Sequence, residues 1–227
     1  MIQNLLEAIE IETGPKPRAS VIWMHGLGAD GNDFVPVVNE LGLGMASGIR
    51  FVFPHAPMQP VSINNGYVMR AWYDVKWGDL EGKSKQADEK GVRASQAAIT
   101  RLIEREISRG STTDRIVLAG FSQGGAVALQ TGLRHPEKLG GIMALSTYLP
   151  LAESFADEAS AENRKTPVFM AHGIDDGVIP FEMATRSRDI LVEHGYDVEW
   201  HQYPMQHSVS LQEIADIARW LKRVIAG

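Results

Sequence analysis

The chain has no cysteine in 227 residues. Disulfide frameworks, thiolate metal sites and thiol nucleophiles are therefore excluded. Long apolar runs are also missing. Nothing approaches the roughly eighteen consecutive apolar residues of a membrane span, so no membrane insertion is expected. Positive charge is in deficit, with 22 Lys and Arg against 28 Asp and Glu, a net charge of −6. That balance argues against nonspecific binding to nucleic acid or to an anionic membrane surface. The opening residues Met1-Ile2-Gln3-Asn4-Leu5-Leu6-Glu7 place no basic segment before an apolar one. No secretory leader is expected, and a cytoplasmic location is. There is no internal repeat and no low-complexity tract.

What is present is ordinary globular composition, 44% hydrophobic and 22% charged. A chain of this length can build one α/β domain with a sizeable core, so residues 1–227 are read as a single domain. Compact apolar runs at 19–24, 49–53, 115–119, 140–146 and 167–171 are short enough to be buried strands. Residues 6–11 suggest an edge strand, and 197–203 alternates like a strand near the sheet edge. Between the runs lie amphipathic patterns. Phe34, Val37, Val38 and Leu41 fall on one helical face. Helices are expected at about 87–108, from 123 to about 134, near 151–161, from 181 to about 194, and at about 208–225. Buried strands alternating with helices predict a mostly parallel central sheet with helices on both faces. Ligands on such sheets bind beyond the carboxyl ends of the strands.

One segment breaks the pattern. Across residues 54–86, prolines, glycines, asparagines and aromatics mix without period. A stretch of roughly thirty such residues is often a lid or binding loop, although a small hairpin would fit as well.

The strand at 115–119 runs into Gly120-Phe121-Ser122-Gln123-Gly124, a G-x-S-x-G sequence at a strand-to-helix junction. Glycines two before and two after a serine let the backbone double back without a Cβ collision, lifting the hydroxyl above the sheet. A serine hydroxyl is a weak nucleophile. It needs a base in reach, normally histidine, and an acid to orient that base.

Of seven histidines, His135 and His194 sit at helix ends, where the C-terminal dipole favours them. His201 lies within the alternating strand. His55 follows a strand between prolines. His25 and His172 close strands but precede glycines, the pattern of a tight turn. His207 follows the last strand in a short loop and is the candidate base. The acid should lie between serine and histidine in the chain. The loop after 167–171 offers Asp175 and Asp176, and position alone does not choose. Two backbone N–H donors are expected to receive an oxyanion: that of Gln123, and that of Leu27 in His25-Gly26-Leu27-Gly28, whose glycines allow close approach. The same loop lacks the lysine and glycine spacing of a phosphate-binding loop.

Taken together, His25-Gly26-Leu27-Gly28-Ala29-Asp30-Gly31, Gly120-Phe121-Ser122-Gln123-Gly124-Gly125, Leu145-Ser146, His172-Gly173 with Asp176 and Pro180, and Met205-Gln206-His207 resemble the bacterial carboxylesterases of the acyl-protein thioesterase (phospholipase/carboxylesterase) family. The resemblance implies an α/β-hydrolase fold, a Ser–Asp–His triad, no metal and no cofactor. Its H-G-x-x-D spacing selects Asp176. Its W-[YF]-D motif matches Trp72-Tyr73-Asp74, making 54–86 a substrate-facing loop with Ile63, Trp72 and Tyr73 as expected pocket walls. Relatives often dimerise, so a homodimer is a further expectation. Two positions depart from the pattern. Gly177 stands where proline often follows the acid, and Gln206 precedes the histidine in place of glycine.

The expected activity is hydrolysis of a small-molecule carboxylic ester through an acyl-enzyme. The alternative is an acyl-protein thioesterase or lysophospholipase-type hydrolase, since the same groups cleave acyl-thioesters. A non-catalytic binding protein on this scaffold is disfavoured, because no triad member is missing.

Overall fold

The structure is a computed structural model that describes residues 5–44, 47–80 and 88–226. Among these residues the main sheet runs in the order β1-β3-β2-β6-β7-β8-β9. Its strands are β1 (Ala8–Glu12), β2 (Ala19–Met24), β3 (Ile49–Pro54), β6 (Ile116–Phe121), β7 (Gly141–Leu145), β8 (Val168–Gly173) and β9 (Val198–Tyr203). β1 is antiparallel to β3, and every other neighbouring pair is parallel. A separate antiparallel hairpin is formed by β4 (Met58–Val61) and β5 (Tyr67–Arg70).

The continuous apolar runs have a direct cause: β2, β3, β7 and β8 are buried along their whole length. Residues one apart point to opposite faces. Ile22, Val52, Leu118, Ile142 and Met170 therefore meet Ile99, Leu102 and Ile103 of α3 (Glu89–Ser108) and Val127 and Leu129 of α4 (Gln123–Arg134). Val21, Phe51, Val117, Met143 and Phe169 pack on the other face against Ile217, Trp220 and Leu221 of α7 (Leu211–Ala226). α5 (Ala152–Glu158) and α6 (Phe181–Glu193) cover the first face through Phe155 and Leu191. β9 closes one edge, and its residues from Val198 to His201 are all half-buried. No described helix is long and apolar enough to cross a membrane.

Two expectations need correction. The periodic residues Phe34, Val38 and Leu41 do point inward, but only α1 (Val37–Glu40) is helical. Pro36, which has no N–H to extend a helical ladder, stands at its start. The segment 54–86 is also not irregular throughout. It contains the β4–β5 hairpin and a short α2 (Trp77–Leu80). Its last part, residues 81–86, lies outside the described residues.

α7 begins with an unusual burial. The backbone N–H of Glu213 donates to Ser210 Oγ at 3.1 Å, and that of Ser210 reaches Glu213 Oε2 at 3.3 Å. This reciprocal pair is a capping box. Glu213 is fully buried, and its Oε1 has no partner among the described residues. Burial pushes its carboxyl up to about 8, against the smaller opposing pull of the Ser210 N–H. Unfolded, the group ionises near pH ~4.3. Between these values the unfolded chain releases a proton that the folded chain keeps, so stability falls as pH rises. Glutamine preserves the capping box without the charge. Glu213→Gln should therefore raise Tm over wild type at pH 8.5 by clearly more than at pH 5. An equal Tm difference at both pH values would rule this origin out.

Candidate active site

The G-x-S-x-G turn forms where β6 passes into α4. Ser122 holds φ 54° and ψ −121°, a conformation that costs a non-glycine residue about 1–3 kcal/mol. Both flanking glycines are required. A Cβ on Gly120 would lie 2.2 Å from the Gly124 carbonyl oxygen, and one on Gly124 would lie 2.3 Å from that of Met24. The strained residue is tied on both sides. Its N–H donates to the Leu145 carbonyl at 2.8 Å, and its own carbonyl accepts from Thr147 Oγ1 at 2.6 Å and from the Ala126 N–H at 3.1 Å.

His207 stands in the loop between β9 and α7. Its Nε2 is 3.0 Å from Ser122 Oγ and its Nδ1 is 2.7 Å from Asp176 Oδ2. A carboxylate only accepts, so the proton belongs on Nδ1, and Nε2 is left to accept from the serine hydroxyl. The Phe121 ring packs on the imidazole with centroids 4.7 Å apart. Asp176 Oδ1 receives the N–H groups of Val178 at 2.8 Å and Ile179 at 2.9 Å. Burial pushes this carboxyl up, but the hydrogen bonds from His207, Ile179 and Val178 outweigh it and hold Asp176 below the usual carboxylate range. Asp175 is exposed on the same loop. The geometry thus brings Ser122, His207 and Asp176 into one hydrogen-bonded line and leaves Asp175 outside it.

The loop holding Leu27 lies against the serine. A Cβ on Gly26 would be 3.5 Å from Ser122 Cβ. Gly28 takes φ +78°, and its N–H donates to the Arg70 carbonyl at 2.9 Å. The Leu27 N–H makes no backbone hydrogen bond among the described residues. Gln123 is the first residue of α4, where N–H groups have no intrahelical acceptor. Both expected donors are therefore open.

Of the expected pocket walls, Trp72 and Tyr73 are only 1% and 4% exposed. Their polar atoms find buried partners. The Trp72 indole N–H donates to the His25 carbonyl at 2.8 Å, and the Tyr73 hydroxyl meets that of Tyr148 at 2.9 Å. Ile63 is half-buried against the core. The large exposed apolar side chains beside this segment are Met58, Tyr67 and Val68 of the hairpin. A depression bordered by Val178, Gln206 and His207 opens next to the line of three.

His25 and His172 are buried and structural. His25 Nδ1 donates to the Gly26 carbonyl at 2.7 Å while its Nε2 accepts the Ala56 N–H at 3.0 Å. His172 Nε2 donates to the Ile179 carbonyl at 2.9 Å, pinning the Asp176 turn to β8. Burial holds both imidazoles below their ordinary value. Neither departure from the family pattern disturbs the geometry. Gly177 faces open space, and Gln206 is exposed, with its carbonyl oxygen closing a turn to the Ser208 N–H at 2.9 Å.

A mostly parallel sheet wrapped on both faces, with a serine on a strained strand-to-helix turn, defines the α/β-hydrolase fold, here that of a carboxylic ester hydrolase. Residues 6–225 match the Phospholipase/Carboxylesterase family model, and the chain belongs to that family. It is 40% identical to "Acyl-protein thioesterase 1" of Gibberella zeae over 211 residues, covering 90% of each chain. It is 35% identical to "Carboxylesterase SOBER1" of Arabidopsis thaliana, covering 92% of each. The crystal structure of the Arabidopsis protein superposes with a TM-score of 0.84 at 34% identity, over 92% of this chain and 99% of the other. These relatives are fungal and plant proteins, so the expected link to specifically bacterial carboxylesterases has no support.

The line of three separates the two aspartates. Asp176→Asn should lower kcat by about 10²–10⁴, as expected for loss of the group that fixes the imidazole tautomer, whereas Asp175→Asn should stay within about twofold of wild type. Steady-state kinetics on any turned-over ester decides, and equal losses in both variants would contradict the assignment.

Proposed function

We propose that the chain is a serine acyl hydrolase that cleaves acyl-thioesters and carboxylic esters through an acyl-enzyme. The observation that carries this reading is the hydrogen-bonded line from Ser122 Oγ through His207 to Asp176, with contacts of 3.0 and 2.7 Å. Ser122 Oγ attacks the acyl carbonyl while His207 Nε2 takes its proton. Asp176 keeps Nδ1 protonated and stabilises the imidazolium. The tetrahedral oxyanion accepts from the N–H groups of Leu27 and Gln123. When the intermediate collapses, His207 returns the proton to the leaving thiolate or alkoxide. Water, deprotonated by the same imidazole, then attacks the acyl-enzyme, and collapse releases the carboxylic acid and restores the Ser122 hydroxyl. The β4–β5 hairpin, with Met58, Tyr67 and Val68 exposed, is the substrate-facing part of the domain.

The thioester comes first in this proposal, reversing the order suggested by sequence alone. Fungal relatives named as acyl-protein thioesterases, 38–42% identical, support it. The carboxylesterase reading is supported by the plant relative.

For acyl groups of the same length, kcat/KM on the thioester should equal or exceed that on the p-nitrophenyl ester. A panel on which only oxoesters turn over would return the carboxylesterase reading to first place. Separately, a fluorophosphonate probe should label wild type on Ser122 and leave Ser122→Ala unlabelled. Equal labelling of both proteins would defeat the mechanism.

A further inference from the structure

The Gln123 side chain has no part in the chemistry just described, yet it is 4% exposed and both ends of its amide are satisfied. Its Oε1 accepts the backbone N–H of Trp72 at 2.8 Å, and its Nε2 donates to the Tyr73 carbonyl at 2.7 Å. The amide therefore grips one short length of backbone from both sides. That length is itself fixed. Ser95 of α3 donates to the Trp72 carbonyl, and the Asp74 carboxylate accepts the Ser62 N–H and hydroxyl at 2.7 and 2.6 Å. The Asp74 N–H donates to Asp88 Oδ2 at 2.8 Å.

The other end of the bridge is the Trp72 indole, which donates to the His25 carbonyl. Two residues beyond His25 is Leu27. The two N–H groups proposed to receive the oxyanion thus belong to separate elements, the loop after β2 and the first residue of α4. One continuous path joins them: Gln123 amide, Trp72 backbone, Trp72 indole, His25 carbonyl. The carboxamide accepts from Trp72 through its oxygen and donates to Tyr73 through its nitrogen at once.

The geometry points to the Gln123 side chain as a positioning residue that, with the Trp72 indole, sets the spacing of the two oxyanion donors. This rests on the proposed acyl-transfer reading. Such donors work only when aimed at where the oxyanion forms, so loss of the bridge acts on the transition state and spares ground-state binding.

The test uses Gln123→Met, which keeps the bulk and removes both hydrogen bonds, and Trp72→Phe, which removes only the indole bond. On a short acyl ester, Gln123→Met should lower kcat about 10- to 100-fold per active site titrated, in the range known for small misplacements of reacting groups. KM should stay within about threefold. The inhibition constant of a trifluoromethyl ketone, which adds to the serine as an anionic tetrahedral adduct, should rise by the same factor as kcat/KM falls. Trp72→Phe should shift the same quantities in the same direction, and the double variant should lose less than the product of the single losses.

Normal kcat per titrated site with normal ketone affinity would overturn the inference, because the residue would then only support folding. A matching loss in KM would overturn it too. If Gln123→Met does not fold, Trp72→Phe decides on the same criteria. Ser122→Ala is the separate control. Retained turnover there rejects the acyl-enzyme reading itself, whereas an inactive Ser122→Ala beside an unaffected Gln123→Met rejects only the bridge.

Discussion

The backbone of Ser122 is the constraint on which the site depends. A residue with a side chain does not readily hold φ 54°, and it persists here because its surroundings over-determine it. β6 delivers the chain, α4 takes it away, and the neighbouring strand fixes the turn through the hydrogen bond between the Ser122 N–H and the Leu145 carbonyl. Thr147, just past β7, holds the serine carbonyl. Relaxing the turn would withdraw the hydroxyl from His207 and re-aim the first N–H of α4 in the same movement. The strain is thus the means by which one turn presents the Ser122 hydroxyl and the Gln123 N–H together.

Parallel topology supplies the rest. β2, β6, β8 and β9 end on the same side of the sheet, and the loops after them bring Leu27, Ser122, Asp176 and His207 together. Gly173 allows one of these approaches. A Cβ there would sit 2.3 Å from the Met205 carbonyl oxygen, in the loop that carries His207. The hydrophobic core on each face keeps the strands in register, so it also fixes the distances between side chains up to 85 positions apart in sequence.

Much of this was legible in the residues. Continuous apolar runs marked strands buried on both faces, and the switch to helical period marked the covering layers. The order serine, aspartate, histidine, each just beyond a strand, marked the site. The rest was hidden for identifiable reasons. β4 and β5 carry their large side chains outward and include Pro60, so they lack the apolar run of a core strand. Asp175 and Asp176 are adjacent, so position alone leaves both open; the resemblance selects Asp176, and the turn that gives it two backbone N–H groups supplies the physical reason. Trp72 and Tyr73 are expected as pocket walls from the resemblance alone, and nothing local shows that their polar atoms find buried partners. The grip of Gln123 on residues 72 and 73 spans about fifty positions and leaves no pattern in either stretch.

The central claim is that the acyl group passes through Ser122. Rapid acid quench during turnover of a slow acyl-thioester, followed by peptide mass spectrometry, tests it directly. The account predicts an acyl adduct on the peptide containing Ser122, on the serine itself, forming before acid release reaches its steady rate. An adduct on another residue, or release of acid with no acylated peptide at any time, would contradict it.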